Sequence, residues 1–287
     1  MKTASIPEKY QLSVIQVTLI VALGGLLMGY DAATVATSQM YFTQYFGFTP
    51  VQQGWVISSA GYGCFFGAIS AGYLTSALSR KYTLILAAVL YVISAIGSGI
   101  ADSLMVLVSY RIILGISIGM IAMTSPMYIA EISPSNIRGK MVTYHQLAMV
   151  LGFILPFLIS FLLSADNISH FDRITYGWRL MFWSEILPAV IFFALLFFIP
   201  HSPRWLILKG RDQHALEVLN QLTVDQQQAQ SEYKLIANSL AETIVSARKL
   251  LFRKGLGYAL FLGIMLAIFQ QATGIVAILI YSGEIFS

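Results

Sequence analysis

Charge is what this sequence has least of. Asp, Glu, Lys and Arg together make up 10 % of the 287 residues, while 57 % are hydrophobic, and the mean hydropathy is +0.74. A soluble domain carries about 25 % charged residues, so this chain could not cover a globular surface with polar groups. It reads as an integral membrane protein, which excludes a nucleic-acid binder and a disordered chain. Cysteine is almost absent. Cys64 stands alone, so no intrachain disulfide forms, and its plain reading is a small buried apolar residue. The four histidines, His145, His170, His201 and His214, have no metal-ligand spacing. There is also no Ser-His-Asp order and no phosphate-binding glycine loop. No enzyme chemistry, cofactor or metal is expected.

What is present is long apolar runs. Crossing a bilayer core takes about 20 residues at 1.5 Å each, and seven segments qualify, at about 12–36, 53–75, 82–101, 103–129, 141–164, 178–199 and 256–280. The first contains Asp31 and several glycines and is too long for a signal-peptide core, so it reads as a retained helix. Orientation follows from Lys and Arg. With the N-terminus cytoplasmic, Lys2, Lys9, Arg80, Lys81, Arg138, Lys140, Arg204, Lys209, Arg211, Lys234, Arg248, Lys249, Arg253 and Lys254 lie inside, 14 of the 17 basic residues. Arg173 and Arg179 fall outside, and Arg111 lies within a segment. The last segment then leaves the C-terminus outside, and the expected location is the cell (inner) membrane.

The stretch 203–254 is polar and amphipathic. Leu216, Leu219 and Leu222 share one helical face, and Leu235, Ile236, Leu240 and Ile244 repeat the pattern. Two or three short cytoplasmic helices joining the sixth segment to the seventh are expected. The division is 1–200 for a six-helix bundle, 201–254 for the connector and 255–287 for a further membrane helix. Gly24, Gly25 and Gly29, then Gly61, Gly63, Gly67 and Gly72, then Gly115 and Gly119 read as close helix packing. Pro126, Pro156 and Pro188 each remove a backbone donor inside a helix and can bend it.

A charge at the bilayer centre costs about 2.5–3.5 kcal/mol on insertion scales, so those present need partners or a task. Asp31, Arg111 and Glu185 stand out. Counted from the expected outer ends they lie about 7, 12 and 11 Å deep, within one helical turn of each other. One buried cluster of two carboxyls and a guanidinium is the economical reading. Burial disfavours an ionised acid and an adjacent Arg favours it, so a movable Arg switches proton affinity. A static ion pair that fixes helix packing is the structural alternative. Among neutral polar groups, Gln146 lies in the fifth segment, and Gln270 and Gln271 sit side by side in the seventh. Amides donate and accept, which suits the hydroxyls of a neutral sugar or polyol. Interhelical hydrogen bonding is the alternative.

Taken together these residues form a recognisable pattern. Gly24-Gly25-Leu-Leu-Met-Gly29-Tyr30-Asp31, Arg111-Ile-Ile-Leu-Gly115, Pro126-Met-Tyr128-Ile-Ala-Glu131 with Arg138-Gly139-Lys140, Gln146-Leu-Ala, Trp178-Arg179 with Glu185, Pro203-Arg204-Trp205-Leu206 and Gln270-Gln271-Ala-Thr-Gly274-Ile follow one another along nearly the whole chain. In this order they resemble the sugar porter family of the major facilitator superfamily, and most nearly its bacterial xylose-type proton-coupled symporters. The resemblance implies an all-α membrane protein with an incomplete major facilitator fold. It implies proton coupling at Asp31 with Arg111 and Glu185, sugar contacts from Gln146, Gln270 and Gln271, and an inner gate including Arg80, Glu131, Arg138 and Arg204. The implied activity is proton-coupled symport of a neutral sugar or polyol. The alternatives are a facilitative uniporter, against which Asp31 argues, and a non-transporting remnant or sugar sensor.

The departures are specific. The family's loop Asp-Arg-x-Gly-Arg-Arg reads Ser76-Ala77-Leu78-Ser79-Arg80-Lys81, so an acidic gate charge is lost. The Glu before Ser-Pro-Arg is His201, a helix-7 Asn is Val276, and a second Gln beyond Gln146 is Phe153. The family has twelve helices, with the substrate site between two six-helix halves. This chain reads as the first half, the connector and one helix of the second. The expected partners are a neutral sugar or polyol, protons, the lipid bilayer and a separately encoded second half, with no nucleic acid. Alone, the chain is expected not to transport.

Overall fold

In the computed structural model the described residues are 14–164, 172–223, 226–250, 256–274 and 278. Helices α1 (Val14–Phe46), α2 (Pro50–Ala77), α3 (Arg80–Gly99), α4 (Leu104–Ile132) and α5 (Arg138–Ser164) follow one another with short turns. Thr49 caps α2 in a reciprocal pair with Gln52, with Pro50 opening the helix, and Ser103 caps α4. The sixth span, α6 (Ile174–Leu196), begins within a π-helical turn over Arg173–Gly177 and breaks at Glu185 before resuming as Ile186–Leu196. Pro188 accounts for the break: it cannot donate to residue 184, and its ring crowds that carbonyl.

Among the described residues five helices, α1, α3, α4, α5 and α6, are long and apolar enough by themselves to cross a membrane. Helix α2 has 28 residues, but its Gln, Ser and Gly content keeps it outside that set. The described part of the seventh segment is the helix α10 (Leu256–Ala272). Helix α1 in turn runs ten residues past its expected end at 36. Its polar extension is held by tertiary contact, because Phe42 is buried in a small core with Val56, Leu107, Trp178 and Phe182.

The bundle is assembled on glycine. A Cβ on Gly29 of α1 would lie 1.9 Å from the Met149 carbonyl of α5, and one on Gly25 would lie 2.4 Å from that of His145. Helices α2 and α4 interlock in the same way, Gly63 and Gly67 against Ile112 and Ile116, Gly115 and Gly119 against Ala60 and Cys64. These contacts are backbone to backbone, which lipid-embedded helices use where side chains are small. Gly61 and Gly72 meet nothing within 4 Å, so the packing reading does not extend to them.

The connector contains α7 (Pro203–Leu208), α8 (Asp212–Leu222) and α9 (Gln226–Leu250). It docks under the bundle: Trp205, Leu206, Ala215, Val218 and Leu222 join the main core with Ile132 and Met141. The buried face of α8 is Ala215, Val218, Leu219 and Leu222, so Leu216 is off the expected stripe. Small Ala215 sits at the contact and large Leu216 beside it, which misleads a reading by size. On α9, Leu235 is exposed while Leu240 is buried; the Ile244 side chain lies outside the described residues.

Candidate functional site

Three membrane-embedded charges meet. Arg111 of α4 donates through Nη1 to Asp31 Oδ1 of α1, across an interface where both are buried. Glu185, at the break in α6, is fully buried beside this pair, with Thr34 and Tyr91 as its polar neighbours. Neither Glu185 oxygen makes a hydrogen bond, and Arg111 Nε has no partner. The Tyr91 hydroxyl is committed to the Leu27 carbonyl at 3.0 Å. Tyr30, next to Asp31, donates to Ser184 Oγ at 2.9 Å, tying α1 to the residue before the break. The local cause is plain: Pro188 opens α6 at the level where the charges sit, and Gly24, Gly25 and Gly29 draw α1 close enough for Asp31 to be enclosed.

The longer α1 changes the depth count. Asp31 is 15 residues from Phe46, roughly 22 Å along the axis, yet it touches Arg111. The C-terminal end of α1 therefore projects beyond the level at which α4 begins.

The register of α1 on α5 also places Gln146. Gly25 faces His145 and Gly29 faces Met149, so Asp31 stands opposite about residue 151. Gln146 is then about 7.5 Å nearer the start of α5. It is exposed, beside the buried stripe of His145, Gly152 and Pro156. Gln270 on α10 is exposed as well, and the Gln271 side chain lies outside the described residues. Among the described residues α10 has at most marginal contact with the other helices, and Gln146 and Gln270 are not brought together there. Val276 also lies outside the described residues.

The four residues expected at an inner gate converge. Arg80 Nη2 lies 2.7 Å from Glu131 Oε1, and its Nη1 donates to the Thr75 carbonyl at 3.1 Å. Ser202 Oγ, the cap of α7, donates to Glu131 Oε2 at 2.6 Å. Glu131, Arg138 and Arg204 line one cavity of about 210 Å³ between the α4–α5 turn and the connector. Nearby, the Tyr128 hydroxyl donates to the Pro200 carbonyl at 2.7 Å, and Lys81 Nζ donates to the Phe197 and Ile199 carbonyls at 2.8 Å each. The connector is thus joined to the bundle through Ser202 on the Glu131 carboxylate, while Lys81 and the Tyr128 hydroxyl hold the open carbonyls that follow α6. Tyr128 stands in the motif that resembles the family's inner gate, whereas the parts played by Ser202 and Lys81 were not foreseen. Ser202 does carry a sequence signal, as a Ser directly before Pro203 at a helix start.

The sequence pattern described as "Sugar (and other) transporter" matches residues 17–287. The chain belongs to this sugar transporter family. It is 36 % identical over 270 residues to the arabinose-proton symporter of Escherichia coli K12, covering 94 % of this chain and 55 % of that protein. It is 33 % identical over 299 residues to the D-xylose-proton symporter of the same strain, covering 95 % and 60 %. The arabinose-proton symporter of Bacillus subtilis 168 is 36 % identical over 273 residues, covering 95 % and 58 %. Among solved structures, the major facilitator proton:xylose symporter XylE bound to 6-bromo-6-deoxy-D-glucose superposes with a TM-score of 0.87 at 33 % identity, over 95 % of this chain and 62 % of that one. An inward-open conformation of the E. coli xylose transporter superposes at 0.80 with 32 % identity, over 94 % and 64 %. The fold is therefore an incomplete major facilitator fold. The chain spans about 55–60 % of the length of these curated relatives, and the relatives are transporters.

Proposed function

We propose that this chain carries the proton-binding half of a symporter that moves a neutral sugar or polyol into the cytoplasm across the inner membrane. The observation that carries the reading is the Asp31–Arg111–Glu185 cluster, buried at the junction of α1, α4 and α6. Two carboxyls and one guanidinium are electrically balanced when the two acids share one proton, and removing one partner of a buried pair leaves a costly uncompensated charge. Proton uptake is thereby linked to rearrangement of three helices. Relatives named as arabinose-, xylose- and galactose-proton symporters support the same chemistry. In this reading Asp31 takes the proton, Arg111 sets its affinity, and Glu185 is a secondary acid. Gln146, Gln270 and Gln271 bind substrate hydroxyls, and Arg80, Glu131, Arg138 and Arg204 form the inner gate.

The topology proposed with it is a cytoplasmic N-terminus, a bundle over 1–200, a connector over 201–254 and the start of a second bundle over 255–287. The exposed Gln146 and Gln270 fit a site completed between two bundles. Transport by this reading requires a second bundle, supplied by a further or separately encoded segment. Loss of amides at Phe153 and Val276 points to a substrate with fewer hydroxyls than a hexose, or to weaker binding. The test is binding of a panel of pentoses, hexoses and inositols to the complete transporter in vesicles. Saturable binding of a neutral member, weakened by Gln270→Ala, supports the reading. Tight binding of an organic anion indifferent to Gln270→Ala and Gln271→Ala contradicts it. A facilitative uniporter is the second reading, distinguished by uptake that ignores an imposed proton gradient.

A further inference from the structure

The turn between α2 and α3 meets the segment leading into the connector through two residues that both depart from the family pattern. Ser79 stands at the glycine of that loop pattern and His201 at the acid before Ser-Pro-Arg. Ser79 Oγ and His201 Nδ1 lie 3.2 Å apart, joining positions 122 residues apart in sequence. Ser79 is fully buried and has φ 96° and ψ 160°, a region used almost only by glycine. The His201 ring stacks on Trp205 at 5.5 Å and meets Tyr82 at a tilt, with centroids 5.3 Å apart. Trp205 in turn donates to the Ser76 carbonyl at 3.2 Å. One imidazole thus spans the bundle's α2–α3 turn and the first connector helix.

The charges around it are mostly cations. Lys81 of α3 and His214 of α8 line a cavity of about 270 Å³ with His201, together with Glu217 and Gln221. Arg211 and Lys209 lie over the Trp205 ring at 5.9 and 5.8 Å from its centroid. Arg80 is already occupied by Glu131, and Glu131 by Arg80 and Ser202. Glu217 is the acid that faces the ring's cavity. Lys81 is held in place by the Phe197 and Ile199 carbonyls, so it cannot swing away when a new positive charge appears.

We propose that His201 is a pH-sensitive clasp: neutral, it locks the connector helices α7 and α8 to the α2–α3 turn, and protonated, it releases them. The hydrogen bond to Ser79 is not what fails, because a hydroxyl can accept from imidazolium as readily as it donates to imidazole. The cost is a third cation beside Lys81 and Arg211 in a partly buried stack. Burial first, then Lys81, His214 and Arg211, hold His201 below the ordinary imidazole range in the docked state. Release exposes the ring to water and returns it toward about 6.5. The released form therefore binds the proton more tightly, and acid favours it. Docking is at full strength above about pH 6.5 and weakens as pH falls toward the docked-state value. The consequence is a connector that loosens when the cytoplasm acidifies.

The inference needs no substrate and stands apart from the transport reading. Hydrogen–deuterium exchange of residues 203–222 in the full chain in lipid nanodiscs tests it, from about pH 8 to about pH 5 with intrinsic exchange corrected. In the wild type, protection should fall with acid. The opening constant should change tenfold for each pH unit separating the docked and released titrations. His201→Asn, which keeps an acceptor, and His201→Phe, which keeps the ring, should both give flat profiles. Arg211→Gln removes one repelling charge and should reduce the amplitude. A flat wild-type profile overturns the proposal, as does an unchanged pH profile in both His201 variants. If those variants leave the connector unprotected at pH 8, Arg211→Gln decides: an amplitude equal to the wild type overturns it.

Discussion

Arg111 holds Asp31 through one nitrogen: Nη1 meets Oδ1, and Nε is left without a partner. A guanidinium commonly grips a carboxylate with two parallel bonds, so this grip is incomplete. Glu185, buried alongside with both oxygens unbonded, is the acceptor that remains when Asp31 gains a proton. In the proposed mechanism Arg111 serves both acids in turn. Arg111→Lys should reduce proton-driven uptake sharply, because a lysine offers a point charge on a shorter reach and cannot serve both acids. Uptake of the wild type and this variant at matched expression checks it.

Glycine packing gives a stability prediction with an internal control. Gly29→Ala places a methyl 1.9 Å from the Met149 carbonyl, where backbone would have to move, and should cost about 3 kcal/mol. Gly72→Ala, with nothing within 4 Å, should leave the thermal midpoint unchanged. Fluorescence-detected melting of both variants in detergent makes the comparison.

Ser79 occupies a glycine conformation. Relieving it should return about 1–3 kcal/mol, against about 1 kcal/mol for the lost contact with His201. Ser79→Gly should therefore raise stability by about 1 kcal/mol. Ser79→Ala keeps the strained φ and loses the hydroxyl, so it should lower stability. Opposite shifts of the melting midpoint in the two variants are the expected result.

The Arg80–Glu131 pair of the proposed gate makes a coupled prediction. Arg80 and Glu131 are 9 % and 11 % exposed and 2.7 Å apart, so screening by water is slight. Glu131→Gln should cost about 3 kcal/mol and speed proteolysis within the connector, because Ser202 loses its carboxylate too. The Arg80→Gln, Glu131→Gln double variant should cost less than the sum of the singles, as a double-mutant cycle on chemical unfolding would show.

Much of this was legible in the sequence, for reasons specific to lipid. Apolar runs of membrane length mark α1 and α3 to α6 because backbone can cross only as helix. Asp31, Arg111 and Glu185 could be grouped because an isolated charge there is expensive. Counting could not show that α1 continues to Phe46, since its polar end is held by Trp178 and Phe182. Nor could it show how Arg111 grips Asp31, or the phase of α8, where Ala215 and not Leu216 faces the core. Gln146 and Gln270 could be picked out by their chemistry, but their separation depends on where α10 sits. Ser79 and His201 were visible as departures, while their contact belongs to the fold alone.

The central claim is that Asp31 carries the coupled proton, and one substitution addresses it most directly. Vesicles holding the complete transporter with Asp31→Asn should be assayed for labelled pentose uptake under an imposed inward proton gradient, and for exchange at equal concentrations on both sides. An amide imitates the protonated acid in shape and hydrogen bonding, so exchange should persist while accumulation against the gradient is lost. Concentrative uptake with an unchanged dependence on the proton gradient would contradict the account.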